Sequence, residues 1–168
     1  MLFRSYNGTG VEADLTLRPA RSTAISLGGA WNNATYGDFV TDVRGGPGLT
    51  VNLRGNRAVL SPELSAFIRA DTAIPLSSEL DVRIAGDFTW RGRQFFTIYN
   101  DPRETQRAYG LAGGSIGIAS SDGRYSVALV GQNLFNSNYL TYAVEQGFGV
   151  VTARGRPRTL SVELRLAF

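Results

Sequence analysis

Pro157-Arg158-Thr159-Leu160-Ser161-Val162-Glu163-Leu164-Arg165-Leu166-Ala167-Phe168 closes the chain, and from Leu160 it alternates without a slip. Leu160, Val162, Leu164, Leu166 and Phe168 share one parity; Ser161, Glu163, Arg165 and Ala167 share the other. A period of two sets successive side chains on opposite faces of a β-strand, so this strand meets two different environments. A strand so apolar would template aggregation from a bare edge, which calls for pairing on both sides or closure into a barrel.

The same period recurs upstream. Residues 10–18 set Val11, Ala13, Leu15 and Leu17 against Glu12, Asp14, Thr16 and Arg18, and residues 23–39 carry Ile25, Leu27, Gly29 and Trp31 on one side. From 63 to 74, Leu64, Ala66, Ile68, Ala70, Thr72 and Ile74 oppose Ser65, Phe67, Arg69, Asp71 and Ala73. From 80 to 91, Leu80, Val82, Ile84, Gly86, Phe88 and Trp90 oppose Asp81, Arg83, Ala85, Asp87, Thr89 and Arg91. A weaker, Gly-rich strand is expected over 107–119, and another over 125–135 with Tyr125, Val127 and Leu129 on one face.

These seven strands are joined by short turns at 19–22, 75–79 and 120–124, and by long loops at 40–60, 97–106 and 136–156. Short and long connections alternate strictly. One end of the sheet therefore carries tight turns and the other carries loops, as in outer-membrane barrels with short periplasmic turns and long external loops. The last strand then runs toward the tight-turn end and leaves Phe168 there. Single-chain bacterial barrels close on an even strand number, and seven is odd. Met1-Leu2-Phe3-Arg4-Ser5 also lacks the basic and apolar segments of a signal peptide. Both features lead us to expect a natural start upstream of Met1.

Composition fits an all-β chain. The 168 residues, enough for one domain, are 43% hydrophobic and 11% aromatic with 20 glycines, yet mean hydropathy is only −0.09. The run of about 18 apolar residues that a membrane helix needs is missing, whereas barrel strands spread their apolarity over alternate positions. All 17 basic residues are Arg, scattered for a net charge of +3, which speaks against a nucleic-acid footprint. With neither Cys nor His, Ser-His-Asp chemistry, thiolate chemistry and the usual zinc sites are excluded. No enzyme and no cofactor is expected.

At its C-terminal strand the chain resembles bacterial outer-membrane β-barrels, whose alternating residues and terminal Phe are read by the barrel assembly machinery. Val127 to Tyr139, with Asn133-Leu134-Phe135-Asn136 and Tyr139, is similar to the N-L-(F/T)-D-x-x-Y stretch of TonB-dependent outer-membrane receptors, with Asn136 where Asp is usual. Arg154-Gly155-Arg156-Pro157-Arg158-Thr159 resembles the same family's G-x-P-R approach to the last strand. Gly55-Asn56-Arg57 with Ser61-Pro62-Glu63, and Gly10-Val11-Glu12, resemble two further family stretches. The resemblance implies the last seven or so strands of a 22-stranded transmembrane barrel in the bacterial outer membrane. It also implies uptake of a nutrient such as an iron-siderophore, vitamin or carbohydrate, with a plug domain and its TonB contact outside this sequence.

Within that frame Leu160, Val162, Leu164, Leu166 and Phe168 are the assembly signal. Asn133, Leu134, Phe135, Tyr139, Pro157 and Arg158 are family-motif positions, with Asn133 bonding backbone at the strand exit and Tyr139 at the membrane interface. Trp31, Tyr36, Phe39, Phe88, Trp90, Phe95, Phe96 and Tyr99 would form an aromatic girdle rather than a sugar-stacking surface. Arg69, Asp71, Arg83, Asp87, Arg91, Glu163 and Arg165, with Glu12 and Asp14, would face the lumen, paired with one another or with the plug. Asp38, Asp42 and Asp101 lack the spacing of a cation loop. Loop arginines suit lipopolysaccharide phosphates. The pattern alone also permits a small soluble β-barrel or sandwich with its oily face turned inward around an apolar ligand.

Overall fold

Alternating faces and tight turns produce a meander. The computed structural model describes residues 4–44 and 46–167. Its strands are β1 (Arg4–Ala20), β2 (Thr23–Val43), β3 (Gly46–Asn52), β4 (Leu64–Pro75), β5 (Leu80–Arg91), β6 (Gln94–Phe95), β7 (Thr105–Gln106), β8 (Tyr109–Ser120), β9 (Tyr125–Gln132), β10 (Leu140–Gln146), β11 (Gly149–Arg154) and β12 (Thr159–Leu166). The main sheet runs β1-β2-β4-β5-β8-β9-β12, every neighbouring pair antiparallel, with β3 added to the far part of β2. These are the seven strands of the sequence pattern. β1 and β12 are the two ends of this order.

Register decides which residues share a face, because directly paired residues in a sheet project to the same side. Leu15, Leu27, Ile68, Phe88 and Ala112 lie in one cross-strand row; Ile84, Ile116, Leu129 and Val162 lie in another. On the opposite side Asp14, Gly28, Phe67 and Thr89 form a row, and Ser26, Arg69, Asp87 and Gly113 form the next. One face of the whole arc is thus aliphatic and aromatic, and the other carries the charges.

The apolar face has no cover. Leu27, Ile68, Ile116, Leu129, Val162 and Leu164 are all exposed, Leu164 to 78%. Buried apolar side chains among the described residues are few, Phe39, Leu53 and the alanines 34, 58, 119 and 143, and most lie in the loop layer. Among the described residues no second sheet packs across the oily side. The soluble sandwich with a dry internal core is therefore not what this chain forms.

The long connections differ from simple loops. β2 continues to Val43 and pairs with β3 inside the expected 40–60 loop, and 53–58 folds back onto β2 through Leu53 N–H to Phe39 O and Ala58 N–H to Ala34 O. The 136–156 loop contains the β10–β11 hairpin. Between β5 and β8, β6 pairs with β7 around a single 3-10 turn at Pro102–Glu104, capped by Asp101. Smaller differences fall at strand ends: β1 begins six residues before the expected position, and β9 stops at Gln132.

Candidate functional site

The polar face and the loop layer meet at the long-loop end. There a half-open groove of about 820 Å³ is lined by Arg69, Asp87 and Arg91 of the sheet, Tyr109 at the start of β8, and Asn133, Tyr139 and Arg156 from the last connection. The Tyr139 ring stacks on Tyr109, centroids 4.7 Å apart and planes 8° from parallel. Behind it Gly155 leaves the room the ring needs, since a Cβ there would fall 1.9 Å from the ring. Tyr139 thus lies on the polar side, at the groove. Stacking on Tyr109, whose strand position pairs with Arg91 of the charged face, draws it inward.

Asn133 closes β9 by bonding backbone on two segments. It adopts φ +48, a left-handed turn that Asn tolerates better than most residues. Its amide donates to Ser137 O at 2.9 Å and Arg156 O at 3.0 Å, and its carbonyl accepts from Ser137 N–H at 2.8 Å. Asn136, also at positive φ, accepts from Arg158 N–H at 3.0 Å. A short polar side chain is what this turn uses where the family has Asp. Leu134 N–H bonds Ala112 O, Phe135 is 74% exposed, and Pro157 lines the groove.

The three long connections converge on Glu104, a fully buried side chain. Arg44, just after β2, grips it through both guanidinium nitrogens at 2.6 and 2.8 Å. Thr97 donates its hydroxyl at 2.5 Å, and the Glu145 backbone N–H on β10 donates as well. Arg103 pairs with Asp101 at 2.8 Å and with Glu145, while Arg44 lies over the Tyr99 ring at 4.7 Å. Burial is the largest single influence on Glu104 and pushes its pKa up. The Arg44 fork, the Thr97 hydroxyl and the Glu145 N–H together outweigh it and leave the carboxyl below its ordinary value. Asp101 is held low by its hydrogen bonds from Arg103, whose own pKa is raised by that partner.

Two further sets of bonds tie the connections together. Asn100 exchanges bonds with the Arg57 backbone at 2.6 and 2.9 Å, and Asn56 donates to Ile98 O. Gln106 accepts from Leu140 N–H at 2.5 Å. Arg57, in the Gly55-Asn56-Arg57 stretch, donates to Asn32 O at 2.7 Å and lies 3.7 Å from Glu63.

Arg69, Asp71, Arg83, Asp87, Arg91, Glu163 and Arg165 all lie on the charged face, as do Glu12 and Asp14, but they do not pair with one another. Among the described residues no ion pair within 4 Å joins any two of them; the ion pairs lie in the loops and one tight turn. Arg69 and Asp87 are register partners yet stay exposed, so water can solvate each separately and the entropic cost of holding them together is not repaid. Trp31, Phe88 and Trp90 take the apolar face near the loop end. Phe39 is instead buried and packs edge-on to Tyr36, 5.3 Å between centroids; Tyr99 joins the Glu104 cluster, and Phe95 lies under Arg93. Of the eight aromatics of the sequence pattern, Trp31, Phe88 and Trp90 therefore share the apolar face, and Phe39 and Tyr99 are drawn into the loop layer. Asp38 pairs with Arg54 at 3.2 Å and Asp101 with Arg103, so neither is free for a cation. On β12, Leu160, Val162, Leu164 and Leu166 share the apolar face, and Phe168 lies outside the described residues. Sequence reasoning missed Glu104 altogether.

An antiparallel meander with one bare apolar face, one charged face, tight turns at one end and a layered set of loops at the other is an arc of a large up-and-down barrel. It is the fold that the resemblance to TonB-dependent receptors implies. The crystal structure of the ferric yersiniabactin uptake receptor FyuA from Yersinia pestis matches it with a TM-score of 0.82 at 20% sequence identity, over 97% of this chain. At that identity the likeness is one of fold, and the chain spans 24% of that receptor's length. No protein-family model matches the chain, and no curated protein matches it by sequence.

Proposed function

We propose that the chain is a section of wall, with its external loops, from a TonB-dependent receptor in a bacterial outer membrane that takes up a nutrient such as an iron-siderophore, a vitamin or a carbohydrate. The observation that carries this reading is the uncovered apolar face, continuous across seven strands. Exposed to water it would be an aggregation surface far larger than the few hundred Å² of an ordinary monomer; against lipid it is the normal outside of a barrel. The share of β2 paired to β4, Thr23 to Trp31, suits the roughly 9–11 residues that a tilted strand needs to cross the hydrocarbon.

In this reading the charged face looks into the lumen, where Arg69, Asp87 and Arg91 line a groove toward the plug, and energy arrives through the plug from the TonB complex. Leu160, Val162, Leu164, Leu166 and Phe168 are read by the assembly machinery during insertion. Exposed Arg154 and Arg158 at the loop end suit lipopolysaccharide phosphates. The chemistry is binding and gated passage; no covalent step is assigned.

Substituted cysteines test the orientation, since the chain has none of its own. With the chain in lipid vesicles, Leu129→Cys reacts with a lipid-soluble maleimide and Ala128→Cys with a water-soluble one. The reverse pattern, or recovery of the chain as a folded aqueous monomer, overturns the reading. Disrupting the gene in its own bacterium tests the cargo: growth fails when one of the three nutrient classes is limiting, and unchanged growth on all three contradicts nutrient uptake.

A further inference from the structure

The loop cavity beside Glu104, about 540 Å³ and lined by Arg44, Tyr99, Asp101, Arg103 and Glu145, has the look of a ligand site, but its polar groups are spent on one another. Arg44 serves Glu104 and Arg103 serves Asp101 and Glu145, and the Tyr99 face is covered by Arg44. What the cluster does instead is join segments far apart in the chain. Its centre, Glu104, is a carboxylate with no exposure, and its four donated bonds come from three separate connections.

We propose that Glu104 is an acid-released clasp that holds the three external connections together as one body. Ionised, the carboxylate accepts from Arg44, Thr97 and the Glu145 N–H at once, which four lone-pair sites allow. Protonated, it gains an O–H donor that faces groups already donating to it, and it loses the charge that Arg44 needs, leaving the guanidinium partly buried opposite a neutral acid; an ion pair broken in that way is unfavourable. The groups facing it from the packed segments are Arg44 after β2, Tyr99, Asp101 and Arg103 of its own connection, and Glu145 on β10. When the clasp opens at Glu104, Arg103 stays bound to Asp101 and Glu145, Arg44 keeps Glu145 at 3.8 Å, and the uncharged bonds of Asn100, Asn56 and Gln106 also remain.

The sign follows from the geometry. Donors to the ionised form hold the Glu104 pKa below its unfolded value. The clasp's stabilisation is therefore complete above the ordinary carboxylate range and is lost as pH falls through the lower, folded-state pKa. The β2–β3 and β10–β11 ladders keep their own backbone bonds, so the connections loosen around Glu104 without unravelling.

The test places nitroxide labels on Leu49→Cys and Phe148→Cys, exposed positions on β3 and on the β10–β11 turn, in the full chain held in detergent micelles. Wild-type loops give one narrow distance distribution at neutral pH that broadens in a single acid transition. Glu104→Gln is broad at neutral pH and shows no such transition. Thr97→Val, which removes one donor and leaves the Arg44 fork, shifts the transition to higher pH and keeps the proposal testable if Glu104→Gln does not fold. A distribution that stays narrow through the acid range in wild type, or an acid transition persisting unchanged in either variant, overturns the clasp. None of these readouts depends on lipid exposure of the barrel face or on any cargo, so failure here is distinct from failure of the receptor reading.

Discussion

Asn133 shows what one side chain does at a strand end. It occupies a left-handed turn while bonding Ser137 and the Arg156 carbonyl, so Asn133→Ala adds backbone strain and orphans two carbonyls. We expect a loss of about 3 kcal/mol in unfolding free energy, read from denaturant midpoints in detergent. Gly155→Ala forces the Tyr139 ring off Tyr109, because the added methyl occupies the ring's position. The near-UV circular dichroism of the tyrosine pair should fall while far-UV strand signal is kept; an unchanged near-UV band would refute the packing. Asn133 was legible as a backbone-bonding residue from its place in Asn133-Leu134-Phe135. Glu104 was not, because its partners Arg44 and Glu145 lie 60 and 41 residues away and nothing local marks a loop Glu as buried.

Elements divide by whether their two faces differ. β4 and β5 alternate oily and charged residues in full register, and their existence and sides could be read from sequence within a residue or two. On such strands the faces respond differently to charge. Ile68→Arg puts a guanidinium on the apolar side and should cost about 2–4 kcal/mol in a bilayer if it lies near the midplane, whereas Arg69→Ala, an exposed and unpaired position, should change stability by less than about 0.5 kcal/mol. Equilibrium unfolding in lipid vesicles separates the two, and equal effects would contradict the assignment of faces. β3 and the β10–β11 hairpin escaped because they stand clear of the apolar face, so neither side is under selection to be oily and period two fades. A hairpin signal was present even so, in two strand-favouring runs around Gly147-Phe148-Gly149. The Gly- and Pro-rich 45–48 segment masked β3 in the same way.

At the scale of the molecule, strict alternation of short and long connections set the direction of every strand, and the observed order follows it without a crossover among the seven main strands. What composition could not supply is the third dimension of the loops, where distant residues meet in a layer of charge-assisted bonds. The strand order ends at β1 and β12, and a barrel has no such edges; in the receptor we propose, both edges pair with further wall.

The chain's two tryptophans, Trp31 and Trp90, both lie on the apolar face toward the loop end, and their fluorescence reports directly on what that face touches. In vesicles of lipid brominated along the acyl chain, both should be quenched, most strongly by bromines set just below the headgroups. Emission from the folded chain that is untouched by brominated lipid, with quenching by aqueous iodide instead, would contradict a lipid-facing wall.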